Sequence, residues 1–362
     1  MCRGTAFTLS GDRSSPTFPI ERLFERHDQM KLLTIADGTR DGRLHLASRD
    51  NQRIVPAESV RTMQDALDLW DSVSTALEEQ YSALNAGRLR NDVAFDPGLA
   101  MAPLPRAWQW LDGSAFASHG ELMRQVFGVK EQQKSSRPLM YKGLSHRFLG
   151  PREDVPLPSE EDGIDFEGEF GVIVGDVFMG TTKAAAANSI RLIVLINDWS
   201  LRHIGPIEMA TGFGWLQCKP ACSVAPLAVT PDELGSNWRD CRVDLPLNVC
   251  WNGREFGRAS GYEMAFGFDE LIVHATYSRD LPAGTVLGSG TVSNSNFREV
   301  GSSCIAERRG IEIIDHGKPS TPFMALGDTV QMSAALPNGS DVFGRIDQAV
   351  IRAGRPTQAL PS

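Results

Sequence analysis

The chain has 362 residues and a formal net charge of −9, long enough for one large domain plus a small one with a real apolar core. The acidic balance argues against a nucleic-acid or anionic-membrane surface. No apolar run approaches membrane-spanning length, and the start Met1-Cys2-Arg3-Gly4-Thr5 lacks the apolar core of a secretory signal. Six scattered cysteines with no Cys-x-x-Cys pair fit reduced thiols in a cytoplasmic protein, with Cys218 and Cys222 as small packing residues.

Residues 1–29 carry Pro16, Pro19 and no sustained period, the composition of a loosely attached extension. Residues 30–57 read as short strands punctuated by Asp37-Gly38 and Asp41-Gly42, a meander. Residues 58–86 have helical spacing, with Met63, Leu67, Trp70, Val73 and Leu77 on one side and Asn85-Ala86-Gly87 as the stop. Together these predict a small α+β domain over residues 30–100, followed by a second domain over 101–362. Pro103 and Pro105 mark the junction, and the stretch from Trp108 to His119 leads into a helix. Residues 130–137 are polar, either an ordinary surface loop or a flap over a site. Residues 150–162 are rich in proline and acids, so Glu153, Asp154, Glu160, Glu161 and Asp162 are expected to be merely solvated.

The stretch from Ile164 to Val174 alternates acids with apolar residues or glycine, the period of a strand with one polar face. Glu167 and Glu169 then point the same way, about 6–7 Å apart. A small-residue helix follows, and then an almost wholly apolar strand that ends at Asp198. Two readings fit: a solvated edge strand with Asp198 capping a turn, or one hard cation held by all three acids, since paired buried carboxylates repel without a cation or proton between them. Beyond Asp198, Val243–Trp251 and Arg254–Arg258 read as a hairpin around Asn252-Gly253, then a helix spans Phe268–Arg279. Thr329–Ala335 and Asp341–Val350 form a second hairpin around Pro337-Asn338-Gly339. The chain is mainly β within an α+β class.

Asp165-Phe166-Glu167-Gly168-Glu169 and Asn197-Asp198-Trp199-Ser200-Leu201-Arg202 resemble the two metal motifs of the fumarylacetoacetate hydrolase family. Lys219, Gly288-Ser289-Gly290-Thr291-Val292-Ser293 and Gly301-Ser302-Ser303-Cys304 continue the match in the same order over roughly residues 101–350. The resemblance implies a mixed β-roll catalytic domain, a homodimer, and Mg2+ (or Ca2+ or Mn2+) held by carboxylates. Glu167, Glu169 and Asp198 resemble the shared ligands, Asp112 the fourth acid, and His119 the general base. Lys219 resembles the lysine facing the substrate's oxygens, Arg202 the arginine bracing a ligand glutamate, and Glu307 the acid that orients the histidine and its water. Tyr141 and Thr291 resemble substrate-contacting positions. Ser114 stands where fumarylacetoacetases carry a tyrosine, and Gly205 and Met209 where they carry a glutamine and a tyrosine, so the pattern looks more like bacterial paralogues of aromatic-ring or other 2-oxo acid catabolism.

The residue types suit the implied chemistry. An all-oxygen carboxylate cage fits a hard divalent cation, and such a cation can polarise the oxygens of a diketo or 2-oxo acid. An ammonium beside a developing oxyanion adds stabilisation, and histidine has an intrinsic pKa near neutrality. The expected activity is hydrolysis of a C–C bond in a small diketo acid (fumarylacetoacetate-, acylpyruvate- or fumarylpyruvate-like). The rivals are a lyase of the same fold (β-keto acid decarboxylase or 2-oxo-3-deoxy acid dehydratase) and a catalytically silent metal- or ligand-binding paralogue.

Overall fold

A computed structural model of the chain describes residues 29–126 and 137–354. The extension expected over 1–29 and the polar stretch 130–137 therefore fall almost wholly outside the described residues. No helix among the described residues is long and apolar enough to cross a membrane.

Two sheets carry the structure, as the β-rich reading predicts. The larger has eleven strands. Its spine runs Arg43–Ala47, Lys31–Ile35, Ala228–Val229, Ile190–Asn197, Gly168–Val174, Thr285–Gly288, Trp110–Gly113, Met140–Lys142. The smaller has five, in the order Arg254–Ser260, Pro246–Trp251, Thr329–Ser333, Ile346–Arg352, Val155–Leu157. Both expected hairpins are present, the first closed by Asn252 and Gly253 at positive φ (50° and 73°), the backbone that a two-residue turn between twisted strands needs.

The central strands Gly168–Val174 and Ile190–Asn197 are apolar on both faces because both faces are covered. Phe170, Val172, Val174, Ile193 and Leu195 face the smaller sheet, where Leu247, Val249, Val330, Met332 and Phe343 complete a core. Ile173, Leu192, Val194 and Ile196 face the other way, toward Trp70, Leu77 and Tyr81 of the helix Trp70–Asn85. The expected meander joins the large sheet directly, since Lys31 and Leu32 pair with Val229 and Ala228.

Three sequence expectations are corrected. The helix expected over 58–86 breaks at Leu69 into Met63–Asp68 and Trp70–Asn85. The loop expected over 150–162 contains the strand Val155–Leu157, paired in parallel with Ile346–Arg352 nearly two hundred residues away, a contact that local composition does not encode. The single strand expected over 164–174 is interrupted. Asp165 pairs with Ser200, Glu167 bridges to Cys304, and the ladder to Ile190–Asn197 begins only at Gly168. At the break the amide of Glu167 donates to the Asn197 side chain (3.0 Å), so no buried N–H is stranded.

Phe166 occupies that interruption, fully buried, with its ring 5.1 Å from Phe256 and 6.3 Å from Trp251, centroid to centroid. Phe166→Ala is expected to cost about 3–5 kcal/mol through the lost burial and the cavity left behind, measurable by urea unfolding.

Candidate metal centre and base

Three acids come from neighbouring strands. Asp112 lies in Trp110–Gly113, Glu169 in Gly168–Val174, and Asp198 directly follows Ile190–Asn197. All are buried, and one carboxylate oxygen from each lies within 4.8 Å of the others. The strand Thr285–Gly288 runs between the first two, so Asp112 and Glu169 must reach across roughly 10 Å of sheet. They can do so because position 288 is glycine. A Cβ there would sit 2.5 Å from Asp112 Oδ1, 2.8 Å from Glu169 Oε2 and 2.3 Å from Trp110 Cη2.

Glu167 is held between two cations. Arg202 donates to its Oε1 and Lys219 to its Oε2, both at 2.6 Å. Arg202 also donates to Asp165 (2.7 Å), whose carboxylate accepts the amides of Ile305 and Ala306 at the start of the helix Ile305–His316. Lys219 spends its three donors on Glu167, Asp198 (2.6 Å) and Ser200 (2.8 Å), so in this state none is directed at a substrate. The Tyr141 hydroxyl donates to Asp198 Oδ2 at 2.6 Å, and the Cys222 thiol to Asp198 Oδ1 at 2.9 Å. Asp198 is thus fully dressed. Glu169 is not: neither of its oxygens has a hydrogen-bond donor among the described residues, and Asp112 is the neighbour with which it can share a proton.

The electrostatics follow from that count. Five buried carboxylates (Asp112, Asp165, Glu167, Glu169 and Asp198) face two cations, the buried Lys219 and the partly buried Arg202. Burial, then Asp198, pushes the Asp112 carboxyl well above its ordinary value, and burial, then Asp112 and Asp198, does the same to Glu169. Burial also acts to raise Glu167, but Lys219 and Arg202 outweigh it and hold that carboxyl low. Burial alone would lower Lys219, yet Asp198 and Glu167 keep it charged. The uncompensated pair is therefore Asp112 with Glu169, and with Asp198 they offer the oxygen-only donor set that a hard divalent cation takes. The orphaned oxygens of Glu169 and the space kept by Gly288 fit such an ion.

The base candidates gather nearby. His119 sits in the first turn of the helix Ala117–Val126, close enough to Glu167 to influence its ionisation. Its Nδ1 stands 3.6 Å from Glu307 Oε1. Glu307 is fully buried and accepts the Ser293 hydroxyl at 2.5 Å. Thr291 is buried on the loop that wraps Asp112, where the Gly290 amide donates to Asp112 Oδ1 at 3.2 Å. Ser114 is exposed two residues beyond Asp112. The sequence gives Gly288 and Ser293 no role of their own, and reads Cys222 as packing only. Gly288 and Ser293 bound the Gly288–Ser293 motif, the signal that could have flagged them.

Two predictions follow from the geometry. Gly288→Ala should leave the chain folded by circular dichroism while abolishing Mn2+ binding measured by electron paramagnetic resonance. Because Asp112 and Glu169 have raised pKa values, the stability they contribute to the metal-free fold is fully present below their ordinary values of 3.8 and 4.5 and is lost as pH rises through the folded values. Cation binding needs both ionised, so affinity should weaken on acidification and binding should release protons, seen by calorimetry in buffers of differing ionisation enthalpy.

Residues 109–351 match the family described as fumarylacetoacetate (FAA) hydrolase C-terminal, and residues 30–106 match fumarylacetoacetase N-terminal domain 2. A 2,4-didehydro-3-deoxy-L-rhamnonate hydrolase from Sphingomonas sp. (strain SKA58) is 30% identical over 159 residues, which is 43% of this chain and 53% of that protein. The chain thus spans about half the length of that relative. Among solved structures, a putative HpcE protein from Mycobacterium smegmatis has 19% identity and a TM-score of 0.62, covering 90% of this chain and all of that one. Maleylpyruvate hydrolase from Sphingobium sp. SYK-6, in complex with manganese(II) and pyruvate, has 14% identity and a TM-score of 0.60 with the same coverage. At those identities the two structures speak to the fold. The match over residues 109–351, two-thirds of the sequence, carries the conclusion that this chain belongs to the fumarylacetoacetate hydrolase family.

Proposed function

We propose that this chain is a divalent-cation-dependent hydrolase that cleaves a C–C bond in a small diketo acid of acylpyruvate or fumarylpyruvate type. The observation that carries the reading is the pairing of an uncompensated acid trio, including the orphaned Glu169, with a histidine–carboxylate couple whose histidine lies on the segment that also supplies Asp112. Asp112, Glu169 and Asp198 would hold the cation, with Glu167 beside them as the acid that fixes Lys219 and Arg202. When bound, a divalent cation supplies Lewis-acid polarisation of the substrate's oxygens and offsets the negative charge that grows as the bond breaks.

The protein's own groups do the rest. Glu307 Oε1 stands 3.6 Å from His119 Nδ1; closing that gap would let it accept the Nδ1–H, leaving Nε2 free to take a proton from water as that water adds to the carbonyl. The C–C bond then breaks with its electron pair on the leaving fragment's carbon, and the proton on His119 is returned to that carbon. Lys219 stays charged beside Asp198 and adds positive potential where the oxyanion develops. Tyr141, Thr291 and Ser114 would line the substrate, with the Tyr141 ring 4.6 Å from that of Trp215 as an aromatic wall. The relatives named for maleylpyruvate and for 2,4-didehydro-3-deoxy-L-rhamnonate support a small organic acid substrate. Mg2+, with Ca2+ or Mn2+ as substitutes, a homodimeric assembly and a cytoplasmic location belong to the same reading and rest on family membership.

His119→Ala should reduce hydrolysis of an acylpyruvate by about 10²–10⁴-fold, followed by loss of enol absorbance, while Mn2+ affinity stays within twofold or so. Full turnover in that variant would redirect the reading to a lyase, whose chemistry needs no water-activating base.

A further inference from the structure

We propose that Ser293 and Ser118 are positioning residues for the base, a two-hydroxyl chain that fixes the carboxylate against which His119 is set; this rests on the reading of His119 as the base. Glu307 is fully buried, and its Oε2 has no hydrogen-bond partner among the described residues. Its Oε1 accepts the hydroxyl proton of Ser293, itself buried, at 2.5 Å. Ser118 in turn donates to Ser293 Oγ at 2.8 Å. The hydroxyl of Ser293 carries one proton; with that proton on Glu307, Ser118 is the donor behind it.

Ser118 and His119 are consecutive in the helix Ala117–Val126, which packs against the helix Ile305–His316 that carries Glu307. Two adjacent residues therefore face one carboxylate by separate routes, His119 across a 3.6 Å gap and Ser118 through Ser293. The backbone end of Glu307 is fixed as well: its amide donates to Cys304 Sγ, and the two preceding amides donate to Asp165. What remains adjustable is the 3.6 Å gap between Glu307 Oε1 and His119 Nδ1, and that Nδ1 is buried without a hydrogen-bond partner among the described residues. Which histidine nitrogen carries the proton is set by the bond the other one makes. Holding Glu307 in place thus selects the tautomer with Nε2 free. Remove the Ser293 hydroxyl and the carboxylate has no fixed rotamer to offer the ring.

The test uses the full-length Mg2+-loaded protein, with acetylpyruvate as the kinetic probe and 15N NMR of the histidine rings as a readout independent of turnover. Ser293→Ala should lower kcat by about tenfold, the scale found when a supporting hydrogen bond behind a working ligand is lost, with KM nearly unchanged. Its His119 signals should move from the Nδ1–H pattern to a tautomer mixture. Ser118→Ala should shift both readouts the same way but less, and Ser293→Thr, which keeps the hydroxyl, should recover most of the loss. Wild-type kcat and tautomer in Ser293→Ala, with His119→Ala inactive, would overturn the relay and leave the base intact. An active His119→Ala would instead overturn the base. If Ser293→Ala does not fold, Ser118→Ala decides. If acetylpyruvate is not turned over, the tautomer shift decides.

Discussion

Glu169 is the constraint around which the molecule is built. Glu169 has no solvent contact and no hydrogen-bond donor among the described residues, a costly setting for an acid in its charged form, and it lies within reach of two further buried acids. The fold tolerates it because the sheet gives it no alternative. Glu169 is locked in register opposite Ile196, and a one-residue slip would turn every core side chain of that strand to the wrong face. Apolar packing thus holds in place a cluster that electrostatics alone would disperse.

Around that cluster the charges are divided into two zones. Arg202 and Lys219 neutralise Asp165, Glu167 and one edge of Asp198, tying the cluster to the helix that carries Glu307. This zone is finished: its donors and acceptors are matched, and breaking one partner would leave a buried charge exposed to the others. The second zone, Asp112 with Glu169, is left with negative charge in excess. A site that binds a cation reversibly needs such a division, because full internal pairing would leave nothing for the ion to gain. The Cys222 thiol and Tyr141 hydroxyl belong to the finished side, where burial and Asp198 push both well above their ordinary pKa values, so both remain donors.

The large sheet also explains why the acid trio and His119 lie together. Asp112 is the last residue but one of a strand whose continuation, through Ser114 and Phe116, becomes the helix carrying Ser118 and His119. The strand Thr285–Gly288 beside it continues into the loop carrying Thr291 and Ser293. Two adjacent parallel strands thus deliver Asp112, His119 and its support at the same end of the sheet.

Much of this was legible in the chain alone. Alternation of acids with apolar residues marked Glu167 and Glu169, the apolar run located Asp198, and turn glycines located the hairpins, because these signals are local and follow from strand periodicity and backbone sterics. The order of several motifs was enough to suggest the family. Tertiary structure decided the rest. That Glu167 is engaged by Arg202 and Lys219 while Glu169 has no donor among the described residues depends on which cations arrive from residues 35 or more positions away. That Gly288 is the gap through which Asp112 and Glu169 meet, and that Ser118 and Ser293 share one carboxylate, depends on strand order and helix packing. Sequence periodicity states which face a side chain takes. Only the assembled sheet states what stands opposite, since long-range pairing is fixed by the burial of the whole core and not by any one segment.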